Sequence, residues 1–250
     1  MKTKLTLFVA VIAAALFGVG CASVSQRPLG MPPKGHALSC KNGGGVVVKG
    51  SVDLIGDKDI SIAFFCNPYE GEEKRVGNGS WLIVKRPFDQ GSYLIAVSKE
   101  VVLLSAWFDS TTKRISRVVK HDLRGWYHVC WVFDSSEGTS SLYLNGKLSI
   151  VEEVPKGLTI TEGTTNFHIG ANQYHGYSGL VDQVMVYGVA LNEKQVVSLA
   201  RGKKSNLPKG LLAFWDFEGG NVNDSSGAGR HGTLVGEAKI VPVQPLVSEE

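Results

Sequence analysis

Carboxylates, histidines, cysteines and clustered aromatics are the groups through which this chain could act. Cleavage of a glycosidic bond needs two carboxyl groups flanking it. Glu72-Glu73 and Glu152-Glu153 are adjacent pairs, so on a strand their members point to opposite faces. Both lie in polar, loop-like stretches and read as solvated charge. No Gly-x-Ser-x-Gly elbow accompanies the six scattered histidines, which leaves Ser-His-Asp chemistry without support. His121-Asp122 falls in a turn. Aromatic residues are more suggestive, because sugars stack on exposed rings. Trp81, Trp107 and the cluster Asn172-Gln173-Tyr174-His175-Gly176-Tyr177 are the candidates. The cluster sets two Tyr and a His between glycines, where a core has little need of them. Burial in the core is the competing account of Trp81 and Trp107. Asn172, Tyr174, His175 and Tyr177, with Trp81 and Trp107, form the expected ligand-binding set.

Metal and redox chemistry are poorly served. The four cysteines, Cys21, Cys40, Cys66 and Cys130, match no zinc spacing and no Cys-x-x-Cys pair. Cys40, Cys66 and Cys130 each sit in an apolar, strand-like run. A Cys66–Cys130 disulfide and buried free thiols both fit this pattern. The chain has 26 basic and 23 acidic residues and a net charge of +3. Loss of the leader lysines, Lys2 and Lys4, leaves about +1, too little for a polyanion or nucleic-acid binder.

Residues 1–20 read as a signal peptide, with two lysines followed by an uninterrupted apolar stretch and small residues. Gly18-Val19-Gly20-Cys21 resembles a bacterial lipobox, although Leu is usual where Gly18 stands. The resemblance makes Cys21 the lipidated N-terminus and places the mature chain on the bacterial cell envelope. Ala22 after it points to the outer membrane. An ordinary signal peptidase site is the alternative. Residues 21–36 read as the lipidated Cys and a Ser/Pro/Gly-rich tether.

The elements that must position these groups are strands. Val46–Val48, Ile60–Cys66, Trp81–Val84, Tyr93–Val97, Val101–Phe108, Trp126–Phe133, Ser141–Leu144, Lys147–Val151, Phe167–Gly170 and Gly179–Tyr187 alternate with Gly, Asn, Asp and Ser turns. Asn145-Gly146 is a strong hairpin signal. One short helix is predicted after Asn192, with Gln195 completing a capping box and Arg201-Gly202 ending it. It should lie against an edge of a two-sheet antiparallel β-sandwich of jelly-roll type.

Four segments resemble the bacterial laminin G-like branch of the concanavalin A-like lectin/glucanase superfamily. They are His36–Val48, Ile60–Pro68, Gly125–Val129 with Leu142–Gly146, and Ile169-Gly170 with Gly179–Tyr187. A fifth, Leu211–Gly236, comes first in that family and last here. It is either the start of a truncated second domain or a sign of circular permutation. The permuted sandwich is favoured, because residues 237–250 are too few to complete a second core. The expected domain is then 37–242, with 210–236 supplying the permuted segment and 243–250 a tail.

What the resemblance implies is binding. It suggests a non-catalytic module for carbohydrate, or alternatively for protein adhesion or envelope scaffolding. Its glycoside hydrolases commonly use Glu-x-Asp-x-x-Glu, which is absent from this sequence. Relatives often hold one structural Ca²⁺ on the Asp of the strand matching Gly179–Tyr187. Carried over, the ligand is Asp182, with carbonyls near Asn42–Gly44 and near Asp216. Asp224, in a Gly-rich loop, is a further metal candidate or a turn former. The resemblance gives His128 a structural role, His231 a role in its loop, and Trp126, Trp131 and Trp215 places in the core. The expected partners are a glycan or an envelope or extracellular protein, and a membrane through the lipid.

Overall fold

The fold is given by a computed structural model that describes residues 30, 35–50, 54–55, 58–69, 80–85, 92–108, 113–120, 125–160, 166–171, 176–202 and 206–243. Among the described residues fifteen strands pair into two antiparallel sheets. They are β1 Gly35–Cys40, β2 Gly45–Val48, β3 Ile60–Pro68, β4 Trp81–Lys85, β5 Tyr93–Val97, β6 Val101–Phe108, β7 Lys113–Lys120, β8 Tyr127–Asp134, β9 Thr139–Leu144, β10 Lys147–Glu153, β11 Phe167–Ile169, β12 Gly179–Tyr187, β13 Leu211–Trp215, β14 Thr233–Val235 and β15 Lys239–Val243. The eight-stranded sheet runs β10-β9-β8-β3-β12-β1-β15, with β13 also paired to β12. The seven-stranded sheet runs β14-β2-β11-β4-β5-β6-β7.

Alternation along each strand builds the core between the sheets. Ile60, Ile62, Phe64 and Cys66 of β3 point inward, as do Val129, Trp131 and Phe133 of β8. Three aromatic contacts cross the interface. Phe167 stacks on Trp215 with centroids 5.2 Å apart, Phe108 meets Phe133 at 4.7 Å, and Tyr93 meets Trp131 at 5.6 Å. The indole N–H groups do not go unpaired. Trp131 Nε1 donates to Ser140 Oγ and Trp215 Nε1 to the Arg230 carbonyl. Truncating any of these buried rings to Ala costs about 3–5 kcal/mol.

The C-terminal segment is built into both sheets. β13 pairs with β12, β14 with β2, and β15 with β1. At the hairpin, Asn145 (φ 49°) and Gly146 (φ 75°) both take the left-handed conformation that a two-residue turn requires.

Helix α1, Glu193–Ala200, has the expected capping box: Asn192 Oδ1 accepts from the Gln195 N–H at 3.0 Å, and Gln195 Oε1 accepts from the Asn192 N–H at 2.8 Å. It does not sit at an edge. Val196 and Leu199 pack on Ala63, Cys130, Met185 and Phe214, on the outer face of the eight-stranded sheet. Those sheet positions alternate with the inward ones, so an apolar outer face calls for a cover, and the helix supplies it. Gly30, in the stretch read as a tether, donates its N–H to the Ala200 carbonyl at 2.9 Å and is buried.

Cys40, Cys66 and Cys130 are buried free thiols. Cys66 faces the core while Cys130 faces the helix, so the two point to opposite sides of the sheet. Burial pushes the Cys40 thiol up to about 12, and the other two higher still. All three are inert thiols at neutral pH.

Candidate carbohydrate-binding face

The outer face of the seven-stranded sheet carries part-exposed aromatic side chains among mostly apolar positions. Tyr93, Ile95 and Val97 of β5 and Val102, Leu104, Ala106 and Phe108 of β6 point inward. Leu94 and Ala96, with Leu103, Ser105 and Trp107, therefore face outward. The register aligns them into rows. His168 of β11 stands opposite Val84, Val84 opposite Leu94, and Leu94 opposite Ser105. Trp81 stands opposite Ala96, and Ala96 opposite Leu103. Val84, Leu94 and Ser105 form a buried floor, while Trp81, Trp107 and His168 are partly exposed.

Trp81 and Trp107 thus share a face. They lie about 13 Å apart along the strands and about 10 Å across them, by ordinary strand spacings. That span suits a short oligosaccharide. Trp81 also bridges to Gly176. Desolvation pushes the His168 imidazole below its usual range, nearby Lys85 adds to this, and a hydrogen bond with the Ala171 backbone opposes it. The ring is therefore neutral at pH 7 and can donate or accept a hydrogen bond.

The expected Tyr/His loop is only partly placed. Asn172, Tyr174 and His175 lie outside the described residues. Tyr177 is not a surface residue. It is fully buried between the sheets, its hydroxyl donates to the Leu180 carbonyl, and it lies in the same core cluster as Cys40 and Cys66. A ring with no exposed face cannot stack on a sugar, so Tyr177 leaves the ligand-binding set. Sequence reasoning missed His168, Ser105 and Leu94. The Phe167-His168-Ile169 alternation was the available signal for the first. The uninterrupted apolar run of β6 hides which side is which.

The metal candidates separate. Asp224 Oδ1 accepts from the N–H groups of Phe214 and Ser226, and Oδ2 from that of Arg230. These bonds, with one from the Ser226 side chain, outweigh desolvation and hold the carboxyl below its usual range. With both oxygens engaged by N–H donors, Asp224 is a turn organiser rather than a metal ligand. His231 Nδ1 accepts from the Asp224 N–H in the same loop. Asp182 is fully buried, and its Oδ1 accepts from the Gln183 N–H at 2.7 Å. Gln183 stands in a β-bulge with φ 49°, and its buried side-chain amide has no hydrogen-bond partner. The register sets Leu38 opposite Val181, which brings Asp182 level with Ala37. The carbonyls of Asn42–Gly44 lie in the turn after β1, five or more residues on from Ala37. Asp216 does lie nearby, one residue past Trp215, which pairs with Val184. Among the described residues no three His, Cys, Asp or Glu side chains converge.

His128 is buried on the outer face of the eight-stranded sheet, edge-on to Phe65 at 5.0 Å, with neither ring nitrogen hydrogen-bonded. Cys21 and the leader lie outside the described residues. Among the described residues no helix is long and apolar enough to cross a membrane.

Residues 41–197 match the family model of the concanavalin A-like lectin/glucanases superfamily, and the chain belongs to that family. No curated protein matches the chain. Among solved structures it is similar to a candidate carbohydrate-binding protein from Bacteroides ovatus (18% identity, TM-score 0.61, 84% of this chain and 62% of that one). The chain therefore spans less than two thirds of that protein. It is also similar to the receptor-binding domain of the botulinum neurotoxin C/D mosaic serotype (12% identity, TM-score 0.53, 68% and 43%). A third likeness is to a heptameric SAP-like pentraxin from Limulus polyphemus (19% identity, TM-score 0.49, 86% and 92%).

Proposed function

We propose that this chain is a non-catalytic module that binds carbohydrate on the outer face of its seven-stranded sheet, held at the bacterial envelope by a lipid on Cys21. One observation carries the binding proposal. Two part-exposed indoles, Trp81 and Trp107, share one face over a buried floor that includes Leu94 and Ser105, with the neutral imidazole of His168 on the neighbouring strand β11. The Bacteroides ovatus protein of similar fold supports the ligand class. The non-catalytic reading is supported by composition, since no strand of this sheet carries Asp or Glu. Its strands thus offer no pair of carboxylates of the kind a glycoside hydrolase uses.

A glycan array probed with the purified chain tests this directly. Selective binding is expected, weakened about tenfold or more by Trp81→Ala or Trp107→Ala. A folded protein that binds no glycan overturns the proposal and moves the weight to a protein partner, found by cross-linking in envelopes. The lipid is tested by palmitate labelling, which Cys21→Ala abolishes. Release of the protein by salt alone overturns the lipid anchor, since an acyl anchor holds by apolar burial.

A structural Ca²⁺ is proposed at Asp182. A buried carboxylate followed in sequence by Gln183, whose buried amide has no hydrogen-bond partner, suits the oxygen-only preference of that ion. The ion would tie the β12 bulge to the turn after β13 and takes no part in binding the glycan.

A further inference from the structure

Gly30 marks the corner at which the N-terminal part of the chain meets the sandwich. It is buried, and its N–H bonds the Ala200 carbonyl at the end of α1. It also lies so close to the β9–β10 turn that a Cβ would overlap Asn145 Oδ1. Its φ of 87° is one that glycine adopts without cost. Cys21 stands nine residues earlier, so a lipid on it lies at most about 32 Å from this corner. A lipid there is thus tied to one face of the domain, the outer side of the eight-stranded sheet.

That face carries an apolar patch beside the corner. Leu148 of β10 stands opposite Tyr143 and Val151 opposite Ser141. Leu142 and Leu144 of β9 point into the core, and Tyr143 packs against the cluster under α1. Leu148 and Val151 therefore share the outer face with Tyr143. They are 52% and 50% exposed, two of the three large apolar side chains among the described residues that are half exposed or more. The third, Val118, belongs to the other sheet. Cations flank the same corner. Exposed Lys147 follows the turn directly, and Arg201 is the C-cap of α1. The exposed acids of these two elements, Glu153 and Glu193, stand at their far ends.

Apolar side chains beside Lys and Arg match the headgroup region of an anionic bilayer. The apolar groups sink toward the acyl chains, and the cations meet the phosphates. Two such side chains hold a bilayer only weakly by themselves. A short tether makes the contact intramolecular, at an effective concentration on the order of millimolar, where weak docking is enough.

We propose that this corner of the eight-stranded sheet, formed by the β9–β10 hairpin and the end of α1, docks on the anionic bilayer that carries the Cys21 lipid. This rests on the lipid anchor proposed above and adds an orientation to it. The seven-stranded sheet, on the opposite side of the sandwich, then presents its binding face away from the membrane.

The test uses the lipidated full chain on vesicles of phosphatidylglycerol and phosphatidylcholine, set against the Cys21→Ala chain in solution. A water-soluble acylating reagent reads the lysines. Lys147 is expected to react about fivefold more slowly on vesicles, while Lys49 and Lys120, exposed on the side of the seven-stranded sheet, react as in solution. An environment-sensitive dye on Leu148→Cys should shift to the blue and be quenched by a lipid-borne quencher, and one on Leu234→Cys should do neither. Lys147→Gln combined with Arg201→Gln, or 500 mM salt, should return the dye at 148 to its aqueous spectrum while the protein still floats with the vesicles. Should the labelled Leu148→Cys chain fail to fold, the lysine rates of the unlabelled chain decide alone. Protein that floats with the vesicles but acylates Lys147 as fast as in solution overturns the docking and leaves the lipid anchor intact. Slowing at Lys120 in place of Lys147 puts the other sheet on the bilayer and overturns the orientation. Protein that does not float at all overturns the anchor, and with it the docking that depends on it.

Discussion

His128 shows how one buried side chain sets the behaviour of the protein in acid. Burial pushes its imidazole down to about 3, from an ordinary 6.5. The unfolded chain therefore takes up a proton below pH 6.5 that the folded chain refuses. The stability this contributes is complete above pH 6.5 and is lost as pH falls toward 3, by an amount on the order of 4 kcal/mol. Urea unfolding from pH 7 to 4 should show this fall, and His128→Leu should flatten it. A His128→Leu variant with the wild-type pH profile would mean that the carboxylates alone set the acid limit. At the same scale lies the clearest failure of sequence reasoning. Tyr177 stands in a stretch of glycines and polar residues that looks like a loop, yet it is a core residue. Nothing local distinguishes it from Tyr174. Its burial depends on Gly170 and Leu180, whose backbone groups bond it in place.

Turns and bulges decide where the elements sit. Asn145 supplies the left-handed turn of the β9–β10 hairpin, and its Oδ1 also accepts from the His128 N–H at 2.9 Å. Asn145→Ala should cost about 1–2 kcal/mol in chemical unfolding, from the turn conformation and the lost bond together. A change within error would show that Gly146 alone holds the turn. The β12 bulge carries the calcium proposal. Ca²⁺ bound only to the folded state raises the melting temperature, and chelator lowers it again, by linkage. Asp182→Asn should abolish that difference. A melt unmoved by chelator removes the ion. Most strands were legible because their alternation is complete within a few residues. β7 was not, since Lys113-Arg114-Ile115-Ser116-Arg117-Val118-Val119-Lys120 carries too much charge to look half-buried. An edge strand tolerates such charge because one side of its ladder stays open. The helix was legible from its capping box, but its docking on a face rather than an edge was not. That depends on an apolar outer surface built from four strands far apart in sequence.

For the whole molecule, the two sheets share one core that includes the C-terminal strands. Trp215 stacks on Phe167 of the opposite sheet, and β13 covers one side of β12. A chain ending at Gly210 should lose cooperative melting, because it exposes Phe167 and leaves β12, β2 and β1 each short of one partner. A cooperative melt near that of the full chain would show that residues 211–243 are an addition to a complete domain. The pairing of β1 with β15 sets Gly35 opposite Val243. The first and last strands of the sandwich thus finish side by side, about 5 Å apart at the Cα atoms. A peptide of a few residues would close the domain into a ring at that point. Reopening the ring between Asn206 and Gly210 would place the Leu211–Gly236 segment first in the chain, ahead of β1.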